Sequence, residues 1–465
     1  MNTSDIHTLR SARINVAFHP ESLSMFNVSD RVARILELFE NSRDISEIAR
    51  ELGIAEKHIR GVLRLLDNKI KRLSPKPTHS KPDIASQLVL FVTQGCNFKC
   101  RYCCSRGLYP KHSSMRLETG KKAIAAFLKL YPNNVKTIVF LGGEPLLCYE
   151  VVKHLVKFTL RLCRSSRVDI VPRFGIVTNG ALLTSDVVKF LKRYGIMTTV
   201  SLDGPLAVND FQRILPSGEG THSIVMSRIK TLTRARHSFN IEATVTRRTI
   251  ECAISVREIL LYLHTLGAEI SHIMPVCGED EETALPWRCR QSIADGFKDA
   301  ASYTMESLLT QDPVWLQYVR YILESLIRKI PRKYLCFAGL GTLTVFPNGD
   351  VYPCYFLVHD SLLMGNIHDS NFPNERFFRV RKLLLERAKD SITPCKACWA
   401  RSLCHSCYGF GFSLSETLSA PPEMFCLIQK AMIEAVLLKL AEFRVDSRLW
   451  HRAISTLRAE LSRAA

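Results

Sequence analysis

The chain has 465 residues, 46% of them hydrophobic and 23% charged, enough for roughly two or three domains with real cores. Sixteen cysteines in so long a chain, with a polar start from Met1 to Arg13 and no apolar run near the ~18 residues of a membrane span, exclude a small disulfide scaffold and a transmembrane protein and point to a reducing cytoplasm. Lys and Arg number 63 against 44 Asp and Glu, and the net +19 suits an anionic partner, either an acidic peptide or nucleic acid.

Residues 1–78 read as a separate small domain. Ile14 to Phe18 and Leu23 to Val28 alternate like two short strands around His19-Pro20-Glu21. Ser29-Asp30 caps a helix through Phe39, Asp44 opens a second from Ile45 to Leu52 that Gly53 ends, and Ala55 to Lys69 carries apolar residues at helical spacing. A hairpin followed by helix–turn–helix predicts a winged-helix domain. Ser74 to Asp83, with three prolines, reads as a linker.

From Leu88 the pattern alternates strand and helix. Strands are predicted at Leu88–Thr93, Thr137–Leu141, Arg173–Thr178, Met197–Leu202, Ile241–Val245 and Glu269–Pro275. Helices fall between them, at Leu117–Leu130, Glu150–Leu162, Ser185–Arg193 and Ser223–Ala235. Six such units over 85–276 predict an incomplete parallel barrel with its site at the C-terminal rim. Directly after the first strand comes Cys96-Asn97-Phe98-Lys99-Cys100-Arg101-Tyr102-Cys103, a C-x3-C-x2-C run. Three thiolates are one short of a structural zinc site. On a 4Fe–4S cluster they leave one iron open. Cys104 reads as a bystander. Gly142-Gly143-Glu144-Pro145 follows the second strand, where glycines admit close backbone approach and a carboxylate can accept from an ammonium. Thr178-Asn179-Gly180 and Ser201-Leu202-Asp203-Gly204-Pro205 end the third and fourth strands.

Helices bridge 277–333. Residues 334–430 then hold seven cysteines and a hairpin turn, Asn348-Gly349-Asp350, between Leu343–Phe346 and Val351–Tyr352. The cysteines run Cys336, Cys354, Cys395-x2-Cys398-x5-Cys404-x2-Cys407 and Cys426; a zinc ribbon is the competing reading. Two helices, Leu427–Phe443 and Leu449–Ala464, end the chain, the last domain-sized piece being 431–465.

Taken together over about 85–430, these motifs resemble the radical S-adenosylmethionine (SAM) enzymes that carry a SPASM extension, a family of peptide and protein maturases. The resemblance implies an α/β fold with a partial (β/α)6 barrel, and three 4Fe–4S clusters with SAM as cofactors. Cys96, Cys100 and Cys103 would hold the SAM-binding cluster. Cys395, Cys398, Cys404 and Cys426 would hold one auxiliary cluster, and Cys336, Cys354 and Cys407 the other. Gly142, Gly143 and Glu144 would hold the SAM amino group, Arg213 its carboxylate, and Asn179, Ser201 and Tyr102 would be further contacts. A guanidinium suits bidentate pairing with a carboxylate. Residues 1–78 resemble the PqqD-like element that binds leader peptides of ribosomally made precursors, a leader strand adding beside the hairpin.

Three departures shape the expectation. Cys404 and Cys407 are one residue closer than the family spacing. No cysteine shortly precedes Cys336, so its cluster would keep an open iron on which a substrate thiolate can bind. Sulfatase-activating enzymes place an aspartate where this chain has Tyr355. The expected activity is therefore thioether crosslinking of a cysteine-bearing precursor peptide by hydrogen abstraction, with a flavodoxin or ferredoxin as one-electron reductant. A carbon–carbon crosslink or a cofactor-peptide maturase is the runner-up. Outside the class stand an RNA-modifying enzyme and a nucleic-acid-binding regulator in which Lys57, Arg60 and Arg64 face phosphates.

Overall fold

The computed structural model describes every residue except 1–5, 42–43, 74–85, 104–112, 167–169, 279, 419 and 465. The Ser74–Asp83 linker and Cys104 therefore lie outside the described residues.

Residues 6–73 build a three-stranded antiparallel sheet, β1 (His7–Arg10), β2 (Asn15–His19) and β3 (Ser24–Val28), and three helices, α1 (Asp30–Glu40), α2 (Ile45–Leu52) and α3 (Glu56–Leu73). The expected caps are in place. Ser29 accepts from the Val32 N–H, Asp44 accepts from the Glu47 N–H at 2.8 Å, and Gly53 closes α2 at φ +62°. β1 was not expected. His7-Thr8-Leu9-Arg10 shows one apolar residue and no alternation, and the strand exists because its backbone pairs with β2. Side chains alternate across β2: Ala17 faces a small core with Ile35, Leu36, Ile59 and Leu63, while Val16 and Phe18 enter the main core. The sheet is consequently docked on the rest of the chain. Lys329 Nζ donates to Leu23 O at 2.7 Å, Asn27 Nδ2 donates to Ala441 O at 3.2 Å, and Arg401 pairs with Glu21 at 3.0 Å.

The predicted parallel strands are β4 (Ser86–Thr93), β5 (Lys136–Gly142), β6 (Arg173–Thr178), β7 (Met197–Ser201), β8 (Phe239–Val245) and β9 (Ser271–Pro275), side by side in chain order. Helices α4 (Leu117–Leu130), α5 (Tyr149–Ser165), α6 (Ser185–Arg193) and α7 (Leu206–Gln212) fall among the connections. Leu88 to Val92 is a continuous apolar run because β4 is buried on both faces. It is also an inner strand, with another beyond it. The hairpin of β10 (Thr342–Val345) and β11 (Asp350–Tyr352), read from sequence as part of a separate C-terminal domain, lays β10 parallel to β4, with Leu343 opposite Leu88. With β12 (Gly365–Asn366) the sheet has nine strands, and it continues across the expected boundary. Gly349 makes the hairpin turn at φ +93°. Helices Arg290–Ser307 and Glu423–Val445 pack on each other. No helix among the described residues is long and apolar enough to cross a membrane.

Candidate functional site

β4 runs out at Thr93, and the loop after it crosses the barrel mouth between two backbone clamps. On one side Gly143 N–H donates to Thr93 O at 2.8 Å and Glu144 N–H to Gly95 O at 2.9 Å. On the other, Lys99 N–H donates to Ile214 O at 2.7 Å and Arg101 N–H to Gln212 O at 2.8 Å. A Cβ on Gly142 would strike Thr93 O, and one on Gly143 would strike Gly95 O, so neither position tolerates a side chain. So held, Cys96, Cys100 and Cys103 line one cavity of about 490 Å³. Tyr102, Gly142, Gly143, Asn179, Ser201 and Arg213 share its wall. Asn179 Nδ2 donates to Asn97 Oδ1 at 2.8 Å and lies 3.8 Å from Cys96 Sγ. Burial pushes the Cys100 thiol up to about 12, with Arg213 opposing.

Glu144 does not reach that wall. Its carboxylate is fully buried and accepts from Asn179 N–H at 2.7 Å, Thr178 Oγ1 at 2.8 Å and Leu146 N–H at 2.9 Å. Its oxygens tie the end of β5 to the end of β6. Burial raises its pKa from the ordinary 4.5 to about 7, against the three donors. A carboxyl raised on folding contributes stability below its unfolded pKa that is lost as pH rises through the folded one. The difference between 4.5 and about 7 is worth roughly 3 kcal/mol. Relative to wild type, Glu144→Gln should therefore gain stability between about pH 5 and about pH 8. Urea midpoints at the two pH values check this, and a constant difference would sink it.

Asp203 is the hub of the opposite wall. It is fully buried. Oδ2 accepts from Tyr102 OH at 2.7 Å and Gln212 Nε2 at 2.8 Å, and forms an ion pair with Arg213 Nε at 3.1 Å. Oδ1 accepts from Thr244 N–H at 2.9 Å. Arg213, expected to meet a ligand carboxylate, thus already has a carboxylate within the chain. It also lies 5.5 Å over the Tyr102 ring.

Sequence reasoning missed Glu242 and His272. Ser201, Glu242 and His272 stand opposite one another on β7, β8 and β9, all lining the cavity. Ser201 Oγ donates to Glu242 Oε1 at 3.3 Å, and burial lowers the His272 pKa while Glu242 opposes. The signal was the alternation along β8, where Glu242 and Thr244 interrupt Ile241, Ala243 and Val245.

The C-terminal thiols fall into two neighbourhoods. Burial pushes Cys426 up to about 12, and Cys404, Cys395 and Cys398 add to it. Burial likewise raises Cys407, and its thiol neighbours are Cys336 and Cys354. This second trio sits behind the aromatic wall of the barrel cavity: Tyr355, Phe356 and Phe410 line the cavity, and a Cβ on Gly409 would meet Phe356 and lie 3.4 Å from Cys407 Sγ. An apolar cleft of about 310 Å³ with exposed Trp287 and Leu414 shares Pro275, Val276, Cys277 and Phe410 with the cavity.

All described cysteines are free. Among the described residues no three His, Cys, Asp or Glu converge as ligands of a single metal ion would. A four-iron cluster instead takes each thiolate on its own iron, and three groups of thiols, the two C-terminal ones buried or half-buried, suit that donor set.

Residues 90–249 match the family model described as the radical SAM superfamily, and residues 336–399 match SPASM, an iron–sulfur cluster-binding domain. The cysteine-type anaerobic sulfatase-maturating enzyme of Clostridium novyi (strain NT) is 24% identical over 336 residues, covering 69% of this chain and 87% of that protein. The radical SAM cyclopropyl synthase TigE of Paramaledivibacter caminithermalis is 24% identical over 218 residues, 40% of this chain and 45% of its own. Native anSMEcpe with bound AdoMet has a similar fold, with a TM-score of 0.64 at 22% identity over 77% of this chain and 99% of that one. Streptococcus suis SuiB bound to S-adenosylmethionine reaches 0.52 at 14% identity over 90% and 99%. Both family matches fall on the elements whose thiols flank the cavity, and the chain accordingly carries a radical SAM domain and a SPASM domain, the machinery of an enzyme that uses SAM and iron–sulfur clusters.

Proposed function

We propose that this enzyme crosslinks a ribosomally made precursor peptide, joining a cysteine sulfur to a carbon from which hydrogen has been abstracted. One observation carries the reading: a single cavity has the Cys96–Cys103 loop on one side and, behind Tyr355 and Phe356, the thiols of Cys336, Cys354 and Cys407 on the other. When bound, the first cluster with SAM supplies a deoxyadenosyl radical, and the auxiliary clusters supply electron acceptance. Cys96, Cys100 and Cys103 would hold the first cluster; Cys395, Cys398, Cys404 and Cys426 a second; Cys336, Cys354 and Cys407 a third with one iron free for the substrate thiolate.

The chain's own residues do the positioning. Gly142 and Gly143 present backbone to the SAM amino group, and Arg213, fixed by Asp203, faces the SAM carboxylate. Ser201 and Asn179 offer a hydroxyl and an amide to the same ligand. Glu242 and His272 stand in the barrel interior, where a proton acceptor for the substrate thiol is needed. The apolar cleft at Trp287 and Leu414 gives the peptide a way in. Tyr355, where sulfatase-activating enzymes have an aspartate, speaks against sulfatase maturation.

Residues 6–73, with three strands and three helices, support a winged-helix element that binds the leader along the sheet, and the net positive charge suits an acidic leader. A flavodoxin or ferredoxin would be the electron donor. The test is reconstituted enzyme with SAM, a reductant and a cysteine-bearing precursor. The product should be lighter by two hydrogens per crosslink and should no longer alkylate at the cysteine. A mass loss with the thiol still reactive would replace the thioether by a carbon–carbon bond. Because Val16 and Phe18 anchor the N-terminal sheet in the main core, truncation is a poor test of leader binding. Excess leader in trans should instead inhibit, and DNA should not.

A further inference from the structure

Lys389 is 2% exposed. Its Nζ donates to Arg401 O at 2.6 Å, Cys404 O at 2.8 Å and Arg332 O at 3.2 Å. An ammonium has three N–H donors and a neutral amine two, so three carbonyl acceptors hold the charged form. A buried charge is costly unless an opposite charge meets it. The groups whose fields act most on Lys389 are the thiol of Cys404, a second cation, Arg332, and the thiols of Cys395 and Cys398. Lys430, on the helix Glu423–Val445, acts on Cys395 and Cys426. Two lysines thus act on these four thiols.

We propose that Lys389 is the internal counter-ion of an iron–sulfur cluster on Cys395, Cys398, Cys404 and Cys426, with Lys430 as its outer partner, and that the pair raises the cluster's reduction potential. The proposal rests on the ligand set given above. A cluster with four thiolates is an anion that gains one more negative charge on reduction, and its potential follows the net charge around it. A cation inside the protein therefore favours the reduced form, and acts more strongly at low dielectric than one near solvent. Lys389 is a positioning residue in this sense: it touches neither substrate nor reacting atoms, and makes the site a better electron acceptor, as the proposed coupling needs.

The experiment is a redox titration followed by electron paramagnetic resonance on full-length, reconstituted protein without SAM or peptide, the signal being assigned by its loss in Cys395→Ser. Lys389→Gln keeps donors but removes the charge. With iron content unchanged, its midpoint should fall by about 59 mV or more, a tenfold change in a one-electron equilibrium. Lys389→Arg should stay near wild type, and Lys430→Gln should fall in the same direction by less. An unchanged midpoint in Lys389→Gln at full iron content overturns the proposal. Should that variant not fold, an unchanged midpoint in Lys430→Gln overturns it. Because no peptide is present, failure to crosslink would remove the proposed function and leave this result standing.

Discussion

Cys96→Ala is expected to bring deoxyadenosine release from SAM to background while leaving the protein folded. The chemical half of the expectation follows from the donor set: with Cys96 gone, two thiolates of the C-x3-C-x2-C motif remain, and an open-iron cluster needs three. The structural half follows from what holds the loop. Its shape comes mainly from backbone bonds of Lys99, Arg101, Gly143 and Glu144, none of which uses a thiol, while the Cys96 sulfur accepts only long contacts from Phe98 N–H at 3.4 Å and Asn179 Nδ2 at 3.8 Å. Cys96 itself is exposed, so its truncation opens no cavity in the core. The variant should lose the iron of one cluster and keep its denaturation midpoint. Chromatographic detection of deoxyadenosine at wild-type levels would refute the assignment. Loss of fold together with activity would refute the account of the loop.

The second large effect is on stability. Asp203→Asn should cost about 3–5 kcal/mol, because it leaves the guanidinium of Arg213 buried without its partner charge. The same carboxylate orders Tyr102, Gln212 and the Thr244 N–H, so the cluster loop, α7 and β8 should loosen together. The double variant Asp203→Asn/Arg213→Met separates fold from function. Removing both charges should recover most of the stability, since a buried pair replaced by apolar groups is often neutral. SAM binding should still weaken roughly tenfold or more, the expectation for losing a charged hydrogen bond to the ligand. Urea denaturation reads the first quantity and isothermal calorimetry with SAM the second. A double variant that recovers both would show Arg213 to be structural alone.

The parallel strands were legible because strand period and apolar runs are local. Arg173–Thr178 lies where its residues placed it, as do helices Leu117–Leu130 and Ser185–Arg193. The helix Val256–Thr265 went unread although its signal was present: Ser255 and Glu258 form a capping box, and Val256, Ile259, Leu260 and Leu263 fall on one face. β1 had no such signal. Its only apolar side chain is Leu9, and pairing with β2 makes it a strand. The hairpin of β10 and β11 was legible as a hairpin through Asn348-Gly349-Asp350, but not as the neighbour of β4, some 250 residues earlier in the chain.

The site divides along the same line. Spacing within a few residues carries the thiol loop, Gly142-Gly143 and the CxxC runs, because neighbours in the chain must be neighbours in space. Long-range geometry was not in the spacing. The motif alone says that Glu144 is beside two glycines; the packing of β5 against β6 turns its carboxylate inward to Thr178 and Asn179. Arg213 reads as a free cation until β7 ends beside it and Asp203 takes its Nε. Lys389 reads as one more surface lysine in a basic chain until folding buries it among carbonyls and thiols. A side chain's partner across the fold depends on strand order, which many weak contacts choose together, whereas a ligand loop is written in consecutive residues.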